Sequence, residues 1–319
     1  MSGVHDTRRY EVRHVTSYCY SQPVTRCYGR GCLRPRPTPT QLVLAHELTV
    51  EPEPAVVREH VDAFGNLVHY VEVLTPHTRY AVSKHSLIEV AWPDPDLASL
   101  DAWTVTGAAA AIAGEGTDTP EMAGGGMDPV ERALYRLPSP MVPLLPQVRA
   151  WAAGVLRGDA PLGESLTRLT HTIFTDFVYA KGATSVSSTL AELLHHRQGV
   201  CQDFAHLAVA ACRSVGLPAR YVSGYLETQP PPGLPKLEGS DATHAWLSVY
   251  VPDGPEGRWV DLDPTNDQPA DSRYLVTAWG RDYSDVSPLK GVVFSDGGES
   301  SLSVAVDVRR VDGSMDALS

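Results

Sequence analysis

The sequence predicts an α+β protein in two parts: an N-terminal β-sandwich, then a unit of helices followed by strands. Three observations carry this. Residues 8–95 alternate apolar and polar positions in short runs broken by turn residues. From Asp128 the apolar period becomes helical. From Ala219 the chain returns to strand-like runs.

Each element follows from its residues. Tyr10 to Thr16, Leu42 to Val50, Leu67 to Val73 and Tyr80 to Val90 are rich in β-formers and read as strands. Asp62-Ala63-Phe64-Gly65-Asn66 carries turn chemistry between two apolar runs, which predicts a hairpin. Arg34-Pro35-Arg36-Pro37-Thr38-Pro39 cannot be a central strand, because proline lacks the ladder donor. Short strands with frequent turns suggest a sandwich of about 90 residues. Residues 96–128 change character. Gly107 to Met127 is mostly Ala, Gly, Thr and acids, with little to bury beyond Ile112 and Met122, and reads as a linker. Asp128-Pro129-Val130-Glu131 is a helix start with an Asp cap and Pro at the first position. Gln147 to Val155 and Leu162 to Phe174 follow, the latter with Leu166, Leu169, Ile173 and Phe174 at helical spacing. Thr189 caps a short helix to His195, and a longer one runs from Cys201 to Val215, ended by Gly216-Leu217-Pro218. Ala219 to Glu227, His244 to Val251, Trp259 to Leu262 and Leu302 to Val308 are the closing strands. The division is 1–95 for the β-rich domain, 96–128 for the linker and 129–319 for the second domain.

Composition bounds the function. A chain of 319 residues exceeds one ordinary core, and a hydrophobic fraction of 43% excludes wholesale disorder. A net charge of −12 and a pI near 5.4 argue against nucleic-acid binding, which needs a basic surface. No stretch reaches the ~20 apolar residues of a bilayer span, and the first residues lack a secretory signal. Five scattered cysteines fit a reducing compartment, although Cys19, Cys27 and Cys32 cluster near the start. The expectation is a cytoplasmic protein. No carboxylate cluster has metal-ligand spacing, so no metal or cofactor is expected.

The sharpest local feature is Gln198-Gly199-Val200-Cys201-Gln202-Asp203. A glycine turn delivers Cys201 to the first turn of an apolar helix, where unpaired N–H groups and the helix dipole favour thiolate. Cys212 lies deeper in the same helix and reads as core. A cysteine nucleophile needs a base, and the base needs an orienting acid. Among twelve histidines, His244 opens a strand and can present its ring at a cleft. The others read as packing or solvated groups, His206 among them because it lies more than a turn beyond Cys201. The chain turns through Pro252-Asp253-Gly254-Pro255 and returns along Trp259 to Asp263, so the two strands pair antiparallel. Asp261 and Asp263 share a face about 6–7 Å apart. The hairpin register puts Asp263 nearer His244, with Asp261 as the alternative or a structural acid. Asp203 reads as a helix-start acid, Asp241 as a loop-ordering one, and Trp246 and Trp259 as core.

Gly199-Val200-Cys201-Gln202-Asp203-Phe204-Ala205, Gly216 to Tyr225, His244-Ala245-Trp246 and Asp263-Pro264-Thr265 together resemble the transglutaminase-like superfamily. The core match covers roughly 129–285, and residues 8–95 are similar to the β-rich N-terminal region of bacterial members. The resemblance implies a papain-like core and a Cys201, His244, Asp263 triad. It also implies an upstream aromatic that helps bind the oxyanion. Tyr179 is the candidate, equally readable as a half-buried strand tyrosine, with Gln202 a weaker one. The implied activity is thiol-dependent amide hydrolysis through a thioester, acting on a peptide or protein substrate, with neither nucleic acid nor membrane as partner. The alternatives are acyl transfer to an amine and a catalytically silent protein-binding scaffold. Unlike animal transglutaminases, the chain is short and has no EF-hand-like calcium loop.

Overall fold

The architecture is that of a computed structural model, which describes residues 6–93, 95–114, 126–180, 189–228, 241, 243–254 and 257–311. The α+β class holds, with a strand-rich N-terminal region. That region is built on one long strand, β1 (Arg8–Gly31), flanked by β2 (Gln41–Glu51), β3 (Val56–Val61), β4 (Leu67–Val73) and β5 (His77–Val90). They form one antiparallel sheet in the order β2-β5-β1-β4-β3. The first half of β1 pairs with β5 and its second half with β4. Pro23 sits where the β5 register breaks, between Cys19 and Val24, so its missing donor costs no ladder bond there. Val24 and Cys27 from the second half of β1 share one apolar cluster with Val71 and Val73 of β4 and Tyr80 and Val82 of β5. The expected two-sheet sandwich is instead a single sheet curved as a half-barrel, whose neighbouring strands share this apolar face. The expected hairpin joins β3 to β4. The Asp62 carboxylate accepts the N–H groups of Phe64 (2.8 Å) and Asn66 (2.9 Å), and Gly65 takes the left-handed conformation that the turn needs.

Part of the stretch expected as a linker belongs instead to the second unit's core. A 3-10 turn (Ala98–Ala102) leads to α1 (Val105–Ala113), and Leu100, Val105, Ala108 and Ile112 are buried in the main cluster. Small residues let this helix approach closely, which a count of bulky apolar residues cannot detect. Residues 115–125, including Met122, lie outside the described residues. Next come α2 (Pro129–Arg136), capped by Asp128 as expected, α3 (Pro146–Val155) and α4 (Leu162–Asp176). Leu166, Leu169 and Ile173 face the core, but Phe174 is exposed, because one more helical step rotates it off that face.

The centre of the second unit is α6 (Cys201–Ser214), preceded by β6 (Val178–Tyr179), α5 (Leu190–His196) and β7 (Gln198–Gly199). Every residue of α6 from Asp203 to Arg213 is buried. The helix packs between α3 and a five-stranded sheet of β8 (Ala219–Leu226), β9 (Thr243–Val251), β10 (Arg258–Asp263), β11 (Gln268–Pro269) and β12 (Tyr274–Gly280), in the order β11-β10-β9-β8-β12. After the short α7 (Tyr283–Val286), the chain re-enters the first sheet. β13 (Lys290–Ser295) and β14 (Ser300–Val311) both pair with β1. The final strand is where the alternation places it, but it completes the N-terminal sheet, so that unit takes in residues expected to end the second domain. The β-pairing is long-range and leaves no trace in local sequence.

Strand β12 is an edge strand whose backbone groups are covered by side-chain amides from the first unit. Gln41 Nε2 donates to the Val276 carbonyl (2.7 Å), and Gln41 Oε1 accepts the Val276 N–H (2.8 Å). Asn66 does the same for Trp279, at 2.8 and 3.0 Å. These amides imitate a neighbouring strand and satisfy an edge that would otherwise be open. We expect Gln41→Leu to leave both Val276 groups unpaired and cost about 1–3 kcal/mol in urea unfolding. A loss under about 0.5 kcal/mol would show that water replaces the amide.

Candidate active site

Helix α5 is opened by a capping box between Thr189 and Glu192 and ends at Arg197, which takes the left-handed conformation. β7 then runs beside β6, pairing Tyr179 with Gly199. A Cβ on Gly199 would lie 2.9 Å from Leu193 Cδ1 and 3.0 Å from Asp203 Cβ, so only glycine lets this turn press between α5 and α6. Asp203 Oδ2 accepts the Val200 N–H at 2.9 Å, the capping role expected of it. Cys201 follows as the first residue of α6, half-buried, at a position where its own N–H has no intrahelical acceptor.

His244 enters from β9 opposite Gly224 of β8. A Cβ on Gly224 would meet the Leu275 carbonyl oxygen at 1.9 Å and Trp246 Cη2 at 2.8 Å, so this glycine admits the close approach of β12. The His244 ring stacks on Trp246, with centroids 6.1 Å apart. Its Nε2 donates to Asp263 Oδ2 at 2.6 Å. Cys201 adds to the electrostatic surroundings that favour the charged ring. Burial disfavours charge on the ring. The Asp263 bond and charge, with Cys201, outweigh this and push the imidazole up to about 10.

Asp263 is fully buried at the end of β10. Besides His244, its Oδ2 accepts Asn266 Nδ2 (2.6 Å) and the Tyr274 hydroxyl (2.7 Å), and its Oδ1 accepts the Thr265 N–H (2.8 Å). Burial raises its pKa, but the His244 charge and these donors hold the carboxyl below the usual range. Gln268 Nε2 in turn donates to the Tyr274 hydroxyl at 2.6 Å. Asp261 shares the face, as its spacing requires, but it faces other partners. It accepts Trp246 Nε1 (2.9 Å) and the Ser248 hydroxyl (3.1 Å), and burial raises its pKa against the opposing pull of Arg220. Asp263, the acid that the register argument puts nearer, is the one bonded to His244, whereas Asp261 bonds Trp246 and Ser248. Sequence reasoning missed Asn266, Gln268 and Tyr274. Asn266 had a readable signal, an amide just past Asp263-Pro264-Thr265, whereas Tyr274 had none.

Of the two secondary candidates, Tyr179 stands beside the turn, half-exposed, with its ring edge-on to Phe204 at 6.3 Å. Burial, then Cys201 and Asp263, push its hydroxyl pKa up, so it shares their electrostatic neighbourhood. Gln202 is the second residue of α6. His206 accepts the Tyr283 N–H (3.1 Å) and lies on Tyr221, a packing role, and burial drops it to about 4. All five cysteines are unpaired, and burial pushes the Cys212 thiol up to about 12. Asp241 orders the end of its loop, bonding β14 through Val306 O (3.0 Å) and Val308 N (2.7 Å) and accepting from the Thr228 hydroxyl. The rest of that loop, 229–240 and 242, lies outside the described residues. Among the described residues there is no group of three metal-ligating side chains, and no helix is long and apolar enough to cross a membrane.

The fold and this arrangement define a class. Residues 10–89 match the bacterial transglutaminase-like N-terminal region, and residues 149–264 match the transglutaminase-like superfamily core. The chain belongs to the bacterial proteins that join these two parts. An uncharacterised protein of Mycobacterium tuberculosis (strain ATCC 25618 / H37Rv) is 42% identical over 322 residues, covering 98% of this chain and 95% of its own. An uncharacterised protein of Mycobacterium leprae is 31% identical over 304 residues, covering 95% and 99%. The crystal structure of a candidate cysteine protease from Cytophaga hutchinsonii has the same fold, with a TM-score of 0.73, 19% identity, and coverage of 97% of this chain and 93% of that one.

The two shifts at His244 and Asp263 make stability pH-dependent in opposite directions. The raised His244 contributes fully below its unfolded pKa of about 6.5 and is lost as pH rises toward about 10. The depressed Asp263 contributes above about 3.9 and is lost as pH falls through its lowered value. Thermal unfolding of wild type should therefore weaken between pH 6.5 and 10 more than that of His244→Gln. Parallel curves for the two proteins would mean that the ring is not held charged.

Proposed function

We propose that this protein is a thiol-dependent amide hydrolase, acting on peptide or protein substrates, with Cys201 as nucleophile, His244 as acid–base and Asp263 as orienting acid. The observation that carries the reading is the His244 Nε2 to Asp263 Oδ2 bond of 2.6 Å, on a ring whose charge is favoured by a cysteine at a helix start. Asp263 fixes which ring nitrogen faces the thiol and stabilises the imidazolium. With the proton already on the charged His244 ring, the Cys201 thiolate attacks the amide carbonyl, forming a tetrahedral oxyanion. The Cys201 N–H at the open helix end is one donor to that oxyanion, and Tyr179 is the candidate second donor. Collapse expels the amine, protonated by His244, and leaves a thioester. His244 then takes a proton from water, which attacks the thioester and releases the acid. The half-exposure of Cys201 supports a site open to a large substrate.

Screening peptide and isopeptide libraries tests the reading. Wild type should cleave a subset, and Cys201→Ala should lose at least about 1,000-fold in rate, the scale of losing a nucleophile. Cleavage retained by Cys201→Ala would overturn it. Incorporation of a labelled amine into a glutamine peptide at a rate exceeding hydrolysis would reassign the acceptor from water to amine. Asp263→Asn should reduce the rate more than Asp261→Asn, and the reverse order would move the orienting role. His244→Ala should slow iodoacetamide alkylation of Cys201 across a rate profile taken near pH 7. An unchanged profile would favour a silent scaffold.

A further inference from the structure

A second cavity lies between the two units, away from Cys201. It has a volume of about 660 Å³ and is walled by Trp92, Trp259 and Trp279, with prolines of the 37–39 and 93–95 segments along its rim. Two arginines reach it, one from each unit. Arg36 and Arg220 are 9% and 6% exposed. Their guanidinium carbons lie 3.4 and 3.5 Å from the centroid of the Trp279 ring, and Arg220 is also 4.0 Å from that of Trp259. Arg36 donates only to neutral groups, the Phe64 carbonyl (2.9 Å) and Asn66 Oδ1 (2.7 Å). Among the described residues, neither arginine has an ion-pair partner within 4.0 Å, and Nε of each is buried with no hydrogen-bond partner. Arg220 is further bare, with no hydrogen bond from any of its nitrogens among the described residues.

The other charged groups lining the cavity do not neutralise this pair. Arg258 is already engaged by Asp253 at 3.0 Å. Asp261 is the leading opposing charge on Arg220 but acts over distance, because its oxygens accept from Trp246 and Ser248. Glu131 influences Arg220 only over distance. Burial of unpaired cations is expensive, and stacking on indoles offsets only part of the cost. Arg220 Nε is sealed from the cavity, but the two terminal nitrogens are not and have no acceptor among the described residues, and that end of the fork takes a carboxylate in two parallel bonds. The flat tryptophan and proline walls suit an apolar body attached to that carboxylate.

We propose that this cavity binds a carboxylate monoanion carrying a flat apolar body, with Arg220 as its principal partner. The site stands independently of the amidase reading. Two sources fit the chemistry, a free small carboxylate and the carboxyl end of a peptide. Isothermal titration of the full chain separates them, using phenylacetate for the first and N-acetylglycylphenylalanine for the second, with its C-terminal amide and inorganic phosphate as comparisons. At least one carboxylate should saturate, and the amide should bind about tenfold more weakly or worse. Arg220→Met should keep the far-UV circular dichroism of wild type and should lose about tenfold or more in carboxylate affinity. Arg220→Lys keeps the charge without the fork and should also bind about tenfold more weakly. The proposal fails if neither carboxylate saturates wild type below about 10 mM. It also fails if phosphate binds better than both, or if Arg220→Lys binds as well as wild type.

Discussion

The fully buried carboxylate of Asp263 is the constraint on which the rest of the structure depends. A buried charge survives only with partners, and this one has four: the His244 ring, the Asn266 amide, the Tyr274 hydroxyl and the Thr265 N–H. Each donor sets a structural demand. His244 requires the register of β9 against β10. Thr265 and Asn266 require the turn that follows β10. Tyr274 requires β12 to lie beneath the site, and β12 is an edge strand pinned by Gln41 and Asn66 of the first unit. The N-terminal unit is thereby tied to the candidate site through one tyrosine. The return of β13 and β14 to β1 closes the same connection from the other end of the chain.

Asp261 and Asp263 show how environment separates two chemically identical groups. They stand on one face of one strand, two residues apart. Asp263 has a charged ring and three further donors, and its pKa is depressed. Asp261 has an indole and a hydroxyl, with Arg220 as its cationic influence, and its pKa is raised. The two acids link the candidate active site to the interdomain cavity through Trp246, which stacks on His244 and donates to Asp261.

Local chemistry was legible in the sequence, and long-range pairing was not. The capped helix starts at Asp128 and Thr189, the cysteine at the start of α6 and the hairpin at Asp62 to Asn66 follow from neighbours within a few residues, and the register that brings Asp263 to His244 follows from one hairpin of 19 residues' span. The core packing of Ala98 to Ala113 is not legible in the sequence, because alanine and glycine signal flexibility by composition while permitting the closest helix contacts. Phe174 was assigned to a core face it misses by one helical step. The joining of β14 to β1, the amides that cover β12 and the contribution of Tyr274 each link residues far apart in the chain, and no local pattern encodes them.

The central claim is that the Cys201, His244 and Asp263 arrangement forms and releases a thioester. Rapid-quench mass spectrometry with p-nitrophenyl acetate tests it most directly. A burst of p-nitrophenol equal to the protein concentration is expected, with acetyl on Cys201 that clears in wild type and persists in His244→Ala. Acetyl accumulating instead on exposed Cys19, or no burst at all, would overturn the claim.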